Sequence, residues 1–335
     1  MDNVRIGVIG AGAVGGAYAA LLDRAGHEVE VTARGEQLEA IRRDGLRLTG
    51  GFGEHHARLA AGGTLSARPD LAFVTTKAQD AEAALEAHRD LLDGVTVIIA
   101  QNGLGGLDVA HRVLPGSPLI GALARFAASY LEPGLVTITN AQPTVLGAGP
   151  GCDAARLDEV IAALAPALDL IRTDDIARAQ WSKLLINHVN ALPAITDRSV
   201  QQVVAHPGLR RIMSASLRET VRIARRTGAR FDPFLGIPGP LVGLIGLAPL
   251  ALVDRIPRTI ARGMGDVPNP ASTLQSIRRG RRTEIDFLNG AVVAIARAHG
   301  LQAPINAALV ELVHEVEDTG RFLTPDEVLA RVPRA

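Results

Sequence analysis

The chain has 335 residues, 47% hydrophobic and only 3% aromatic, with 35 Lys plus Arg against 35 Asp plus Glu. Such a length allows one or two domains with a sizeable core, and neutrality with few aromatics excludes a general nucleic-acid binder. Cys152 is the only cysteine, so an intrachain disulfide and a cysteine-rich zinc site are both excluded.

An apolar run from Val4 to Ile9 reads as a strand. It leads at once into Gly10-Ala11-Gly12-Ala13-Val14-Gly15, and a helix pattern follows over 14–25 with Gly26 as its stop. Strand, Gly-x-Gly-x-x-Gly and helix together are the context in which this spacing binds a dinucleotide. Gly10 permits the tight turn, Gly12 lets a pyrophosphate approach the backbone, and Gly15 lets helix and strand pack closely. The helix N-terminus then offers free N–H groups and a positive dipole end to the phosphates. No basic leader precedes the strand, and a cytoplasmic location is expected.

Glu28 to Thr32 alternates as the second strand. An NAD-type site places an acid near its end, against the ribose hydroxyls. This chain instead reads Thr32-Ala33-Arg34-Gly35. An arginine there can pair with the 2′-phosphate, so NADPH/NADP+ is the expected cofactor, with a solvated loop arginine as the alternative.

Residues 36–43 read as a helix, 46–60 as short strands around glycines, and 71–75 as a buried strand. A helix follows Thr76-Lys77-Ala78-Gln79-Asp80 to about His88. The strand 95–100 ends in Gln101-Asn102-Gly103-Leu104-Gly105-Gly106, which opens another helix. Ligands of such sheets lie beyond the carboxyl ends of the strands, which is where Lys77 and Asn102 fall. Alternating strands and helices predict a right-handed, mostly parallel sheet, extended by strands near 119–122, 135–139 and 145–146.

From about Asp153 the pattern turns helical, with helices expected near 154–169, 181–192, 208–227, 284–299 and 305–317. The fold class expected is α/β: a Rossmann-type dinucleotide-binding domain over 1–175 and an all-helical substrate domain over 176–335. Phe234 to Val253 carries no charge and is long enough to cross a bilayer. Pro238, Pro240 and Pro249 interrupt it, so a pair of short helices is expected and membrane contact is not.

Trp181 to Asn190 places Lys183, Asn187 and Asn190 at i, i+4 and i+7, one face of a helix whose other residues are largely apolar. A cation in that setting needs partners, and a ligand would supply them; a solvent-facing stripe is the alternative. Residues 272–290 add Ser272, Gln275, Arg278, Arg279, Arg281, Arg282, Glu284, Asp286 and Asn289. Glu284 can balance the charge of Lys183, and the arginines can attract an anionic substrate or form a solvated basic face. No His/Cys/Asp cluster suggests a metal.

At these residues the sequence resembles the ketopantoate reductase (2-dehydropantoate 2-reductase) family over nearly its whole length. The resemblance rests on Gly10 to Gly15, Lys77, Gln101-Asn102-Gly103, Trp181-Ser182-Lys183-Leu184-Leu185-Ile186-Asn187 and Arg282-Thr283-Glu284-Ile285-Asp286-Phe287-Leu288-Asn289-Gly290. It implies reduction of 2-dehydropantoate to (R)-pantoate with NADPH, in pantothenate biosynthesis. Carried onto this sequence, it makes Lys183 the general acid and carbonyl polariser, with Glu284 orienting it or binding substrate. It sets Asn102 near nicotinamide and substrate. It gives Asn187 and Ser272 the substrate's hydroxyl and carboxylate groups, with Asn190 on the same lysine face. Gly10, Ala11, Gly12, Ala13, Val14, Gly15, Arg34 and Lys77 then hold the cofactor. The chain departs from the family pattern in that Asn190 follows Asn187 by three residues instead of four, in Ser276 after Gln275, and in Arg125. Reduction of another branched 2-oxo acid or ketone, and a non-catalytic dinucleotide sensor, are the alternative functions. A small 2-oxo acid is the expected partner, with a homodimer a possible assembly.

Overall fold

The computed structural model describes residues 4–265 and 267–334. They form two compact units. The first runs to Gln101 and resumes over Gly105–Ile176; the second contains Asn102–Leu104 and the chain from Ala177 onward.

The first unit holds twelve strands among its described residues. They are β1 (Arg5–Ile9), β2 (Glu28–Thr32), β3 (Leu46–Gly50), β4 (His55–Ala57), β5 (Ala60–Gly62), β6 (Leu71–Val74), β7 (Thr96–Ile99), β8 (Leu119–Ala124), β9 (Ala127–Glu132), β10 (Leu135–Asn140), β11 (Thr144–Ala148) and β12 (Leu170–Thr173). Eight form one sheet in the order β12-β11-β8-β7-β6-β1-β2-β5. All its pairings are parallel except that of β8 with β11. Ile6, Val8, Phe73, Val74, Val97 and Ile98 are fully buried. Continuous apolar runs of this kind belong to strands covered on both faces, and each such side chain contributes about 1.5–3 kcal/mol by leaving water.

The chain order reverses at β1, with β2 on one side and β6 on the other. In open α/β sheets that reversal marks the ligand crevice at the strands' carboxyl ends.

Two expectations for this unit need correction. The strand expected at 135–139 does not extend the main sheet: β10 lies in a second sheet of order β4-β3-β10-β9. It pairs in parallel with β3 and antiparallel with β9, a strand the sequence reading missed. Val136 and Ile138 are its buried residues, and Val136 lies where a Cβ on Gly16 would meet it at 2.8 Å, so this second sheet covers the helix Ala13–Arg24. The helix expected over 154–169 spans only Ala154–Leu164, because Pro166 cannot continue it.

The second unit is built around the 20-residue helix Pro207–Arg226. Leu209, Met213, Leu217, Val221 and Ala224 are buried at helical spacing along it. Pro207 opens it at a position where no N–H is needed. The segment 234–253, expected as a pair of short helices, folds into three short helical elements, Gly239–Val242, Gly243–Gly246 and Leu250–Val253, leaving Leu241, Leu244, Leu247 and Leu252 exposed. Among the described residues no helix is long and apolar enough to cross a membrane.

Two helix expectations change here as well. The helix expected over 181–192 is two, Ile176–Asn187 and Ala191–Thr196. Pro193 lacks an N–H and would clash with the carbonyl four residues back, so the helix restarts with Pro193 in its first turn. The helix expected over 284–299 is a 3-10 turn, Ile285–Phe287, followed by the helix Asn289–Ala298. The Phe287 carbonyl accepts from the Leu104 N–H at 3.2 Å instead of from its own helix.

Candidate active site

In the first unit the fingerprint loop joins β1 to the helix Ala13–Arg24. Gly10 has φ +106°, and a Cβ there would lie 2.8 Å from the Thr76 nitrogen. A Cβ on Gly15 would collide with the Gly10 carbonyl oxygen and Thr75 Oγ1. Gly12 is different: nothing lies within 4 Å of its missing side chain. The two outer glycines are therefore required by the protein's own packing, whereas Gly12 leaves open space in front of the backbone. Gly12 is also the N-cap, with no side-chain cap on the helix start. Ala13 and Val14 form the first turn, where orphan N–H groups and the helix dipole favour an anion. Ala11 is buried and its N–H donates to the Thr32 carbonyl at 2.8 Å.

Three residues that the sequence reading passed over brace this loop. Thr32 Oγ1 accepts from the Gly10 N–H at 3.0 Å. Thr75 Oγ1 donates to the Gly10 carbonyl at 2.8 Å. The buried Gln37 donates through Nε2 to the Ala11 carbonyl at 2.8 Å and accepts from the Gly134 N–H at 2.7 Å. The available signal was a threonine at the carboxyl end of each strand flanking β1, Thr32 closing β2 and Thr75 directly following β6.

Arg34 is exposed two residues beyond β2 and is the N-cap of the helix Gly35–Asp44. Lys77 is half-buried three residues beyond β6, at the N-cap of the helix Ala78–Ala87. Arg125 is exposed in the turn between β8 and β9. The glycine loop, the uncapped helix start and an exposed cation after β2 fit a phosphate-bearing dinucleotide.

The second unit gathers the other residues singled out from the sequence. Lys183 is half-buried on the helix Ile176–Asn187. That helix is anchored by buried Leu184 and Leu185, by Trp181 set edge-on to Phe231, and by Ser182 Oγ accepting from the Asp232 N–H at 2.8 Å. Asn187 is its last residue, half-buried. Asn190 is buried past the helix end, its N–H donating to the Asn187 carbonyl at 3.0 Å. The α-helix ends at Asn187, and Asn190 follows it through a tighter turn of i to i−3 hydrogen bonds.

Ser272 is exposed in the first turn of the helix Ala271–Arg278. Beside it Ala271 takes φ +59°, a strained backbone for alanine, held by its N–H donating to Asn269 Oδ1 at 2.8 Å. Glu284 is half-buried and caps the Ile285–Phe287 turn. Asn102 is half-buried and adjoins Gly103, whose φ is +87° and whose missing side chain faces the Phe287 carbonyl oxygen. The chain beside Asn102 is thus held against Phe287, three residues past Glu284. Of the arginines in 278–282, Arg278 pairs with Asp197 at 2.7 Å and Arg282 with Glu317 at 2.9 Å and Asp318 at 2.7 Å.

Both units match family models. Residues 6–151 match "Ketopantoate reductase PanE/ApbA", and residues 175–317 match its C-terminal counterpart. The chain belongs to the ketopantoate reductase family. The 2-dehydropantoate 2-reductase of Pyrococcus horikoshii is 30% identical over 319 residues, covering 95% of this chain and 99% of that one. The crystal structure of the PanE/ApbA family ketopantoate reductase from Ralstonia eutropha JMP134 superposes with TM-score 0.80 at 29% identity, covering 94% and 98% of the two chains. A D-mandelate dehydrogenase solved with NADH and anilino(oxo)acetate shares the fold, with TM-score 0.79 at 23% identity.

Proposed function

We infer that this chain reduces 2-dehydropantoate to (R)-pantoate with NADPH, as a member of the ketopantoate reductase family. One observation carries the reading. Family matches to both units coincide with an open glycine loop in the first and a half-buried lysine, Lys183, in the second.

NADPH, when bound, supplies the hydride. Reduction of a ketone builds negative charge on its oxygen. The Lys183 ammonium stabilises that charge and gives the oxygen its proton. Glu284 orients Lys183 or binds the substrate. Asn102, Asn187, Asn190 and Ser272 hold the hydroxyl and carboxylate groups of the substrate. Gly10 to Gly15 and Lys77 bind the cofactor, and Arg34 pairs with its 2′-phosphate. The departures from the family pattern at Asn190, Ser276 and Arg125 support a second reading, in which the substrate is a different branched 2-oxo acid.

NADPH oxidation with 2-dehydropantoate beside a panel of other 2-oxo acids tests both. The first reading expects kcat/KM for 2-dehydropantoate about a hundredfold or more above the rest of the panel, the scale on which a pocket rejects one missing or extra methylene. A better substrate elsewhere in the panel would replace it with the second.

A further inference from the structure

Buried polar side chains in the second unit form one connected chain. His188 is 1% exposed and directly follows the helix that carries Lys183. Its Nδ1 donates to the Leu184 carbonyl at 2.8 Å, so its Nε2 is an acceptor. Thr220 Oγ1 lies 2.5 Å from that nitrogen and donates to it. Asn306 Nδ2 lies 3.3 Å from Thr220 Oγ1 and 2.8 Å from Glu219 Oε1, donating to both. Asn306 Oδ1 accepts from Ser216 Oγ and from Asn289 Nδ2, each at 2.8 Å. Asn289 opens the helix that follows the Glu284 turn. The chain thus runs from the end of the lysine helix to the segment bearing Glu284.

Its direction is fixed. Burial lowers the His188 pKa to about 4, so the imidazole is neutral and keeps one donor and one acceptor. Glu219, 4% exposed, accepts from the backbone N–H groups of Ile305 at 3.2 Å and Asn306 at 2.9 Å, which sets the position of Asn306. Ser216, Thr220, Asn289 and Asn306 are all 0% exposed.

Stability alone is a poor account of this arrangement. Replacing both partners of a buried hydrogen bond by apolar groups of the same shape is often nearly neutral. Asn289 Oδ1, moreover, is buried with no hydrogen-bond partner among the described residues, which is costly. Proton transfer, by contrast, demands that donor and orienting group be held to a fraction of an ångström.

We propose that His188, Thr220, Asn306 and Asn289 are positioning residues, a buried relay that fixes the Lys183 helix against the Glu284 segment. The proposal rests on the reading of Lys183 as proton donor. Each relay residue acts through its neighbours and touches no reacting atom.

The test uses the full chain with Thr220→Val, Thr220→Ser, His188→Phe and the Thr220→Val/His188→Phe double variant, with Lys183→Ala alongside. Valine keeps the shape of threonine and removes the hydroxyl; serine keeps the hydroxyl. Thr220→Val is expected to lower kcat for 2-dehydropantoate by about tenfold or more, with KM for NADPH within about twofold, since small misplacements of a catalytic group reach a hundredfold. Thr220→Ser is expected to stay within about threefold of the parent, and the double variant to be no slower than its slower single, because both breaks interrupt one chain. Equal losses in Thr220→Val and Thr220→Ser would overturn the relay, as would additive losses in the double variant. If Thr220→Val fails to fold, His188→Phe takes its place: it breaks the same hydrogen bond from the other side, and an unchanged kcat there would also overturn the relay. Lys183→Ala with full turnover defeats the reading beneath the proposal; Lys183→Ala inactive with Thr220→Val at parental kcat defeats the relay alone.

Discussion

Arg34 is the residue proposed to select NADPH over NADH. It is exposed beyond the end of β2, where an acid would repel a 2′-phosphate. A hydrogen bond to a charged group is worth about 1.5–3 kcal/mol, a factor of about ten to a hundred or more in affinity. Arg34→Ala is therefore expected to raise KM for NADPH by about that factor while moving KM for NADH less than about threefold. Steady-state kinetics with both cofactors measures it, and equal losses would remove the phosphate from the role of Arg34. At this scale the glycines were legible in the sequence, because backbone geometry at Gly10 and Gly15 admits nothing larger. Thr32, Thr75 and Gln37 were not: each is a single polar residue whose partner lies 22, 65 or 26 positions away.

Among the elements, the helix Pro304–Thr319 braces the Glu284 segment through Glu317 and His314. Glu317 accepts from the Thr283 N–H at 2.7 Å and from Arg282 Nη1 at 2.9 Å. His314 lies between Glu317, 2.8 Å from Nδ1, and Asp286, 2.9 Å from Nε2. Burial opposes the charge on His314, but the bonds to Glu317 and Asp286 outweigh it and raise its pKa above the usual 6.5. Burial likewise opposes the charge on Glu317, and its bonds to His314, Arg282 and Thr283 outweigh that and lower its pKa below 4.5. By linkage, the His314 contribution is full below pH 6.5 and lost as pH rises through its folded value; the Glu317 contribution is full above pH 4.5 and lost as pH falls through its own. His314→Gln should therefore depress the melting temperature most at about pH 5.5 and progressively less towards about pH 9. Thermal melts of both proteins across that range read the difference, and a gap that widens with pH would contradict the assignment.

This brace was invisible in the sequence, where His314 and Glu317 read as ordinary helix residues. The expected helices over 181–192 and 284–299 failed for a related reason. Apolar spacing carries across a break, so only Pro193 marked the first interruption, and the second depends on the Phe287 carbonyl bonding to Leu104, far away in the chain.

For the whole molecule, the sequence pattern sufficed for the main sheet, because β1, β6 and β7 are apolar on both faces and alternate with helices. It could not assign β10. Half-exposed alternation says that a strand has one buried face, without saying which sheet it joins. Family membership rests on both units, and the proposed chemistry depends on one residue in the second. The decisive measurement is turnover of 2-dehydropantoate by Lys183→Ala beside direct titration of NADPH into the same variant. The account predicts kcat lower by about a hundredfold or more, the scale of a lost general acid, with NADPH affinity within about twofold of the parent. Turnover at the parental rate would contradict it and remove Lys183 from the reaction.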